Sequence, residues 1–188
     1  MFIVLSNFIR TRSKVWVVAV AAVLFVAFLV AVLPAQSRAA EQISNGAGTP
    51  DMTLIYLPVD LYRMAEAYGE AGRVAYIQAR FQFDIIWPIV YTFFLAFSTS
   101  WLLNKIPSVK PKWHYLNILP VFGMLADYTE NITASIVMAR FPQLTTGVDY
   151  LASIFSLAKW LLIYSSFAAV IIIFFIVVWR TIFHPKTV

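Results

Sequence analysis

The chain has 188 residues, of which 61% are hydrophobic and 12% charged, a balance outside the range of soluble globular domains and typical of a polytopic membrane protein. Its net charge of +5 would suit nucleic acid, but the basic residues gather at the ends of apolar segments, where anionic lipid headgroups account for them, so no nucleic-acid partner is expected. Cysteine is absent, which excludes disulfides and thiol redox relays.

A hydrocarbon core needs ~20 residues of helix, and four segments reach that length: residues 15–33, 85–103, 113–138 and 150–179. The expected fold is all-α. Residues 1–188 form a single membrane domain, a four-transmembrane-helix bundle with an external helical loop, residues 35–83, between the first and second spans. Little remains for a soluble catalytic domain. The first segment also has the layout of a secretory signal, because Arg10, Arg12 and Lys14 precede an apolar run ending in Pro34 and Ser37-Arg38-Ala39-Ala40. Cleavage after Ala39 or Ala40 is one outcome. The run is longer than the usual signal core, which favours a retained signal-anchor.

Lys and Arg favour the cytoplasmic side. The N-terminal tail carries Arg10, Arg12 and Lys14, the second connection Lys105, Lys110 and Lys112, and the C-terminal tail Arg180 and Lys186; these belong together inside. The loop of residues 35–83 sets Arg38, Arg63, Arg73 and Arg80 against five acids, and the third connection has only Arg140. Both fit outside, so both termini are cytoplasmic. Trp101, Trp113 and Trp179 then fall at the inner interface and Trp87 and Trp160 near the outer one, as anchors.

In the loop, residues 35–50 are small and polar and predict a flexible connection. Residues 51–58 (DMTLIYLP) predict extended chain lying on the membrane or the bundle. From Val59 a helix is expected, with Leu61, Met64, Ala65 and Tyr68 on one face and Arg63, Glu66 and Glu70 on the other. Gly69 and Gly72 interrupt it. A second helix from near Glu70 is expected to run through Arg80 and Asp84 into the second span, aligning Arg73, Ile77, Arg80, Asp84 and Trp87 or Pro88. Arg80 and Asp84 are an i, i+4 pair at the outer boundary. They read either as an interfacial ion pair or, with Arg73, as an arginine-lined mouth for an anionic headgroup or phosphate.

The third span contains Asp127, Glu130 and Asn131 in an otherwise apolar stretch. A carboxylate near the bilayer centre costs at least about 2.5–3.5 kcal/mol, so such residues face a bundle interior and have partners. Antiparallel packing of the second and third spans lets Asp84, Asp127, Glu130 and Asn131 converge in the outer half of the bundle. Gly123, Ala126, Ala134 and Ser135 permit close helix approach there. Lys159, in the fourth span, either snorkels to water or offsets the acids. Asp84, Asp127 and Glu130 are thus the candidate acid–base residues, and Asn131, Arg73, Arg80, Lys159, Tyr91 and Trp87 the candidate ligand-binding ones. The alternative is purely structural hydrogen bonding between helices, at about 0.6 kcal/mol per bond. His114 and His184 fall at the cytoplasmic ends, which argues against a histidine zinc site. A divalent ion bridging the three carboxylates would suit phosphoryl chemistry, but no metal-phosphotransferase motif accompanies them, and the residues name no cofactor.

The runs AYGEAGRVAY (residues 67–76), FDIIWPIVY (83–91) and DYTEN (127–131) resemble a group of small prokaryotic four-span membrane proteins. The resemblance implies the inner, or plasma, membrane of a prokaryote and carries no activity with it. A looser likeness, of architecture and not of motif, is to the four-span sterol isomerase and sigma-2 receptor class, which also keeps acids in a membrane-embedded lipid pocket. The expected function is an intramembrane acidic pocket, opening to the extracytoplasmic side, for a lipid-like or amphiphilic molecule, catalytic or not, with membrane lipids as partners. Proton or cation transport, which in four spans would call for a homo-oligomer, and a non-catalytic assembly role are the alternatives.

Overall fold

The computed structural model describes residues 2–183; His184 and Lys186, assigned above to the cytoplasmic tail, lie outside the described residues. Every regular element among those residues is helical. α1 (Phe2–Arg12) is followed by α2 (Val15–Ala27), which passes through a π-helical turn (Phe28–Val32) into α3 (Leu33–Ser44). Next come α4 (Pro58–Arg80), α5 (Phe83–Asn104), α6 (Leu119–Arg140) and α7 (Val148–Phe183). Three helical stretches, Val15–Ser44, Pro58–Asn104 and Val148–Phe183, are long and apolar enough to cross a membrane. α6 falls short of that mark because its own acids and hydroxyls dilute its apolar residues.

The centre of the molecule is the pairing of α6 with α7. Gly123 sets their separation: a Cβ there would lie 3.2 Å from Ile163 Cγ1 and 3.6 Å from Leu162 Cβ, so the helices approach as closely as the missing side chain permits. α5 packs against both. The predicted apolar face of α4 is buried, with Leu61, Met64, Ala65 and Tyr68 against Ala134, Val137 and Met138 of α6 and Ala152 of α7. Arg63, Glu66 and Glu70 are exposed. α2 joins through aromatic stacking, Phe25 lying 5.6 Å and Phe28 6.1 Å from the Trp87 ring.

Polar bonds tie each end of the bundle. At one end Asn117 Nδ2 donates to the Ser6 carbonyl (3.1 Å) and to Ser100 Oγ (2.8 Å), Asn104 Nδ2 to the Arg10 carbonyl (3.1 Å), and Arg180 Nη1 to Ser108 Oγ (2.9 Å). The basic segments grouped by the sequence therefore meet at one end. At the other, Tyr68 donates to the Gly48 carbonyl (2.7 Å), and Tyr62 bonds Thr145 Oγ1 (3.1 Å) and Asp149 Oδ2 (3.3 Å).

Several expectations need correction. The helix expected as the first span does not end near residue 33 but runs to Ser44, because Ala, Gln, Arg and Glu are good helix formers and the π-helical turn Phe28–Val32 interrupts the regular ladder just before Pro34. It stops at Asn45, left-handed at φ 47° and followed by Gly46. Residues 113–118 belong to a 3₁₀ segment, Pro111–Ile118, so the helix expected as the third span begins only at Leu119. Gly69 does break α4, at φ 62° and ψ −178°, a region open in practice only to glycine. Gly72 does not. It is helical, and a Cβ there would sit 2.9 Å from the Ile43 carbonyl oxygen, so it lets α3 close onto α4. The helix also fails to continue into the second span, since Phe81 and Gln82 turn between α4 and α5.

Candidate functional site

The acids of α5 and α6 reach one cavity of about 530 Å³, bounded by α2, α3, the end of α4, α5, α7 and the turn Pro50–Met52. Phe25, Ile163 and Phe167 form an apolar cluster in its wall, and Leu29 and Leu33 add apolar lining from the α2–α3 helix. Asp51, Arg80, Asp84, Asp127 and Lys159 make up the polar part of the wall. α2 packs on α5 and α3 on α4, while neither packs broadly against α7. Leu29 and Tyr164, which both line the cavity, are 47% and 55% exposed. The cavity is therefore open sideways, between α2–α3 and α7.

The ionic cluster consists of two triads, each a cation held between two carboxylates. In the first, Arg80 Nη1 contacts the Asp51 carboxylate and Arg80 Nε lies 2.8 Å from Asp84 Oδ2. The guanidinium also lies over the Tyr76 ring, 4.8 Å from its centroid. A planar cation with several donors suits a site with a carboxylate on each side and an aromatic face below. The predicted i, i+4 pair thus forms, although a turn separates its members. In the second triad Lys159 Nζ is 2.5 Å from Glu130 Oε2 and 3.8 Å from Asp127 Oδ1. Lys159 is 3% exposed and Glu130 0%, so Lys159 does not snorkel to water; it offsets the acids.

Hydrogen bonds complete the second triad. Tyr91 donates to Asp127 Oδ2 (3.0 Å), Asn131 Nδ2 to Asp127 Oδ1 (3.4 Å) and Tyr56 to Glu130 Oε1 (3.2 Å). Burial, reinforced by the Glu130 charge, pushes the Tyr56 phenol well above its usual range, so its hydroxyl keeps the proton it donates. Among the described residues no three acidic or histidine side chains converge as a metal-ligand set. Arg80 and Lys159 occupy the positions between carboxylates that a bridging cation would need.

The sequence-predicted residues divide clearly. Asp84, Asp127, Arg80, Lys159, Trp87 and Tyr91 line the cavity. Glu130 and Asn131 stand behind Asp127 and Lys159, in contact with them and away from the cavity wall. Arg73 is elsewhere: its Nη1 donates to the Ala65 carbonyl (3.0 Å), across the Gly69 kink, and its guanidinium lies 4.9 Å from the Phe141 ring. The proposed pairing of Arg73 with Arg80 as a mouth for an anion therefore does not form, because the break at Gly69 and the turn at Phe81 separate them from a common stripe. Trp87 and Trp160, expected near the outer interface, line the cavity. Asp51, Tyr56 and Tyr76 escaped the sequence reading. Asp51 follows a proline in a loop and Tyr56 sits in a short mixed run, where no periodicity distinguishes a buried partner from a surface residue. No protein-family model, curated protein or solved structure matches the chain.

Proposed function

We propose that the chain is a four-span membrane protein, with both termini cytoplasmic and residues 45–83 forming an external cap, whose acidic pocket binds a lipid-like or amphiphilic molecule. The observation that carries this reading is the cavity, whose wall combines apolar side chains around Phe25, Ile163 and Phe167 with a buried ionic cluster. An amphiphile has that same combination, and pockets of roughly 300–1,000 Å³ accept ligands of its size. The meeting of the basic segments at one end of the bundle supports the orientation, and the broad pairing of α6 with α7 supports counting α6 as a span despite its acids.

A photoreactive alkyl probe in the bilayer tests the reading. It should label Phe25, Ile163 or Phe167 saturably in the unaltered chain, and Leu33→Trp, which fills the apolar part, should abolish that labelling while leaving labelling of the outer face of α7. Labelling confined to the outer face in both chains would sink it. Proton or cation transport is the second reading. It is favoured by the buried Thr92, Ser98, Thr99, Ser100 and Asn117, which continue the polar interior toward the opposite end, and it would appear as ion flux in proteoliposomes abolished by Asp127→Asn.

A further inference from the structure

The ionic cluster beside the cavity is not balanced in charge. Asp51, Asp84 and Asp127 in its wall and Glu130 behind it supply four carboxyl groups, while Arg80 and Lys159 supply two cations, each already held by two of those carboxyls. Surplus negative charge in a dry site is costly unless something positive, or a proton, meets it. An anionic headgroup would raise that cost, since neither cation is free to receive it and Arg73 is turned away toward Ala65 and Phe141.

A second observation is independent of the carboxylates. Tyr76 lines the cavity, is 1% exposed, and its hydroxyl has no hydrogen-bond partner among the described residues. Buried polar groups are nearly always satisfied, so this hydroxyl has hydrogen-bonding capacity left, including lone pairs that can accept from a ligand donor. The cavity wall is also aromatic, with Trp87, Tyr91, Trp160 and Tyr164, and aromatic faces attract cations while disfavouring anions.

Resting on the amphiphile-binding reading, we propose that the head of the ligand is an ammonium group and that its aliphatic tail lies toward the lateral opening between α2–α3 and α7. The N–H donors fit the Asp84 and Asp127 carboxylates and the Tyr76 oxygen, and the positive charge reduces the surplus. The tail contacts Leu29, Leu33, Ile163 and Phe167.

Three probes that share a bromine-tipped decyl tail and differ in their heads, an ammonium, a sulfate and an alcohol, decide the matter. The full chain in phosphatidylcholine nanodiscs is titrated with each, and the saturable quenching of tryptophan fluorescence is followed, since Trp87 and Trp160 line the cavity. The ammonium probe should bind at least about tenfold more tightly than the other two, as loss of a charged hydrogen bond implies. Asp84→Asn and Asp127→Asn should each weaken it while leaving the alcohol unchanged. Should either variant fail to fold, the ranking of the three probes on the unaltered chain decides alone. Equal or tighter binding of the sulfate or alcohol overturns the ammonium proposal and leaves the amphiphile reading intact; no saturable binding of any probe overturns both. Mass spectrometry of co-purifying lipids separates the sources. An enriched aminophospholipid identifies a lipid headgroup, its absence alongside decylammonium binding identifies a free amphiphilic amine, and enrichment of an anionic lipid counts against the proposal.

Discussion

The two triads have the same formula, a cation between two carboxylates, but their construction differs. The Asp51–Arg80–Asp84 triad joins a loop, the end of α4 and the start of α5, and Asp51 retains 18% of its side-chain exposure. The Asp127–Lys159–Glu130 triad lies between the two helices that pack most broadly, and its side chains are 11%, 4% and 0% exposed. Arginine, with a wide planar fork, holds the part that needs reach, and lysine, a compact charge, fills the part where space is least. One triad fastens a cap to a bundle. The other satisfies charge inside the bundle itself, so its loss should be felt by the whole fold.

The largest predicted effect is therefore at Lys159. Lys159→Met leaves Asp127 and Glu130 facing each other without a cation, and breaking a buried pair in this way costs about 3–5 kcal/mol. A large drop in melting temperature is expected, partly restored by adding Glu130→Gln; an unchanged melting temperature would show that the lysine is not what balances the acids. Arg80→Gln should cost less, about 1.5–3 kcal/mol for lost charged hydrogen bonds, because Asp51 can turn toward water. Its signature is local. Hydrogen exchange should accelerate across residues 49–57 and remain slow in α6 and α7, and uniform acceleration would erase the distinction between the triads. Tyr56→Phe should have the smallest effect, about 1 kcal/mol, since Glu130 keeps Lys159. An effect as large as that of Lys159→Met would mean that the loop, and not the lysine, anchors Glu130.

The acids were legible in the sequence because a carboxylate in an apolar helix is costly enough to demand a partner, and that logic brought Asp84, Asp127 and Glu130 into one buried region, while for Lys159 it left snorkelling and charge compensation equally open. The α4 face was legible for a similar reason, its apolar residues recurring at helical spacing. What periodicity could not convey was the course of the chain between helices. Asp51 and Tyr56 reach the site through tertiary packing of a loop, and Arg73 leaves it through a single backbone conformation at Gly69. Gly72 shows the same limit, since a glycine that breaks a helix and one that admits a neighbouring helix look identical until the neighbour is seen. The extension of the first helix to Ser44 was hidden by the small polar residues, which suit a linker or a helix according to what they pack against.

The dependence of α6 on α7 also bears on how the chain is made. On the four-span topology, α6 leaves the ribosome carrying Asp127 and Glu130 while the residue that compensates them, Lys159, is still unsynthesised. Each charged residue at the centre of a helix adds about 2.5–3.5 kcal/mol to the free energy of insertion, and α6 lacks the apolar surface of the three more hydrophobic stretches. The connection between α6 and α7 spans only residues 141–147, short enough for the two to enter as a hairpin. The unit handed to the bilayer is thus the pair, and a nascent chain arrested before Lys159 should leave α6 on the wrong side of the membrane boundary.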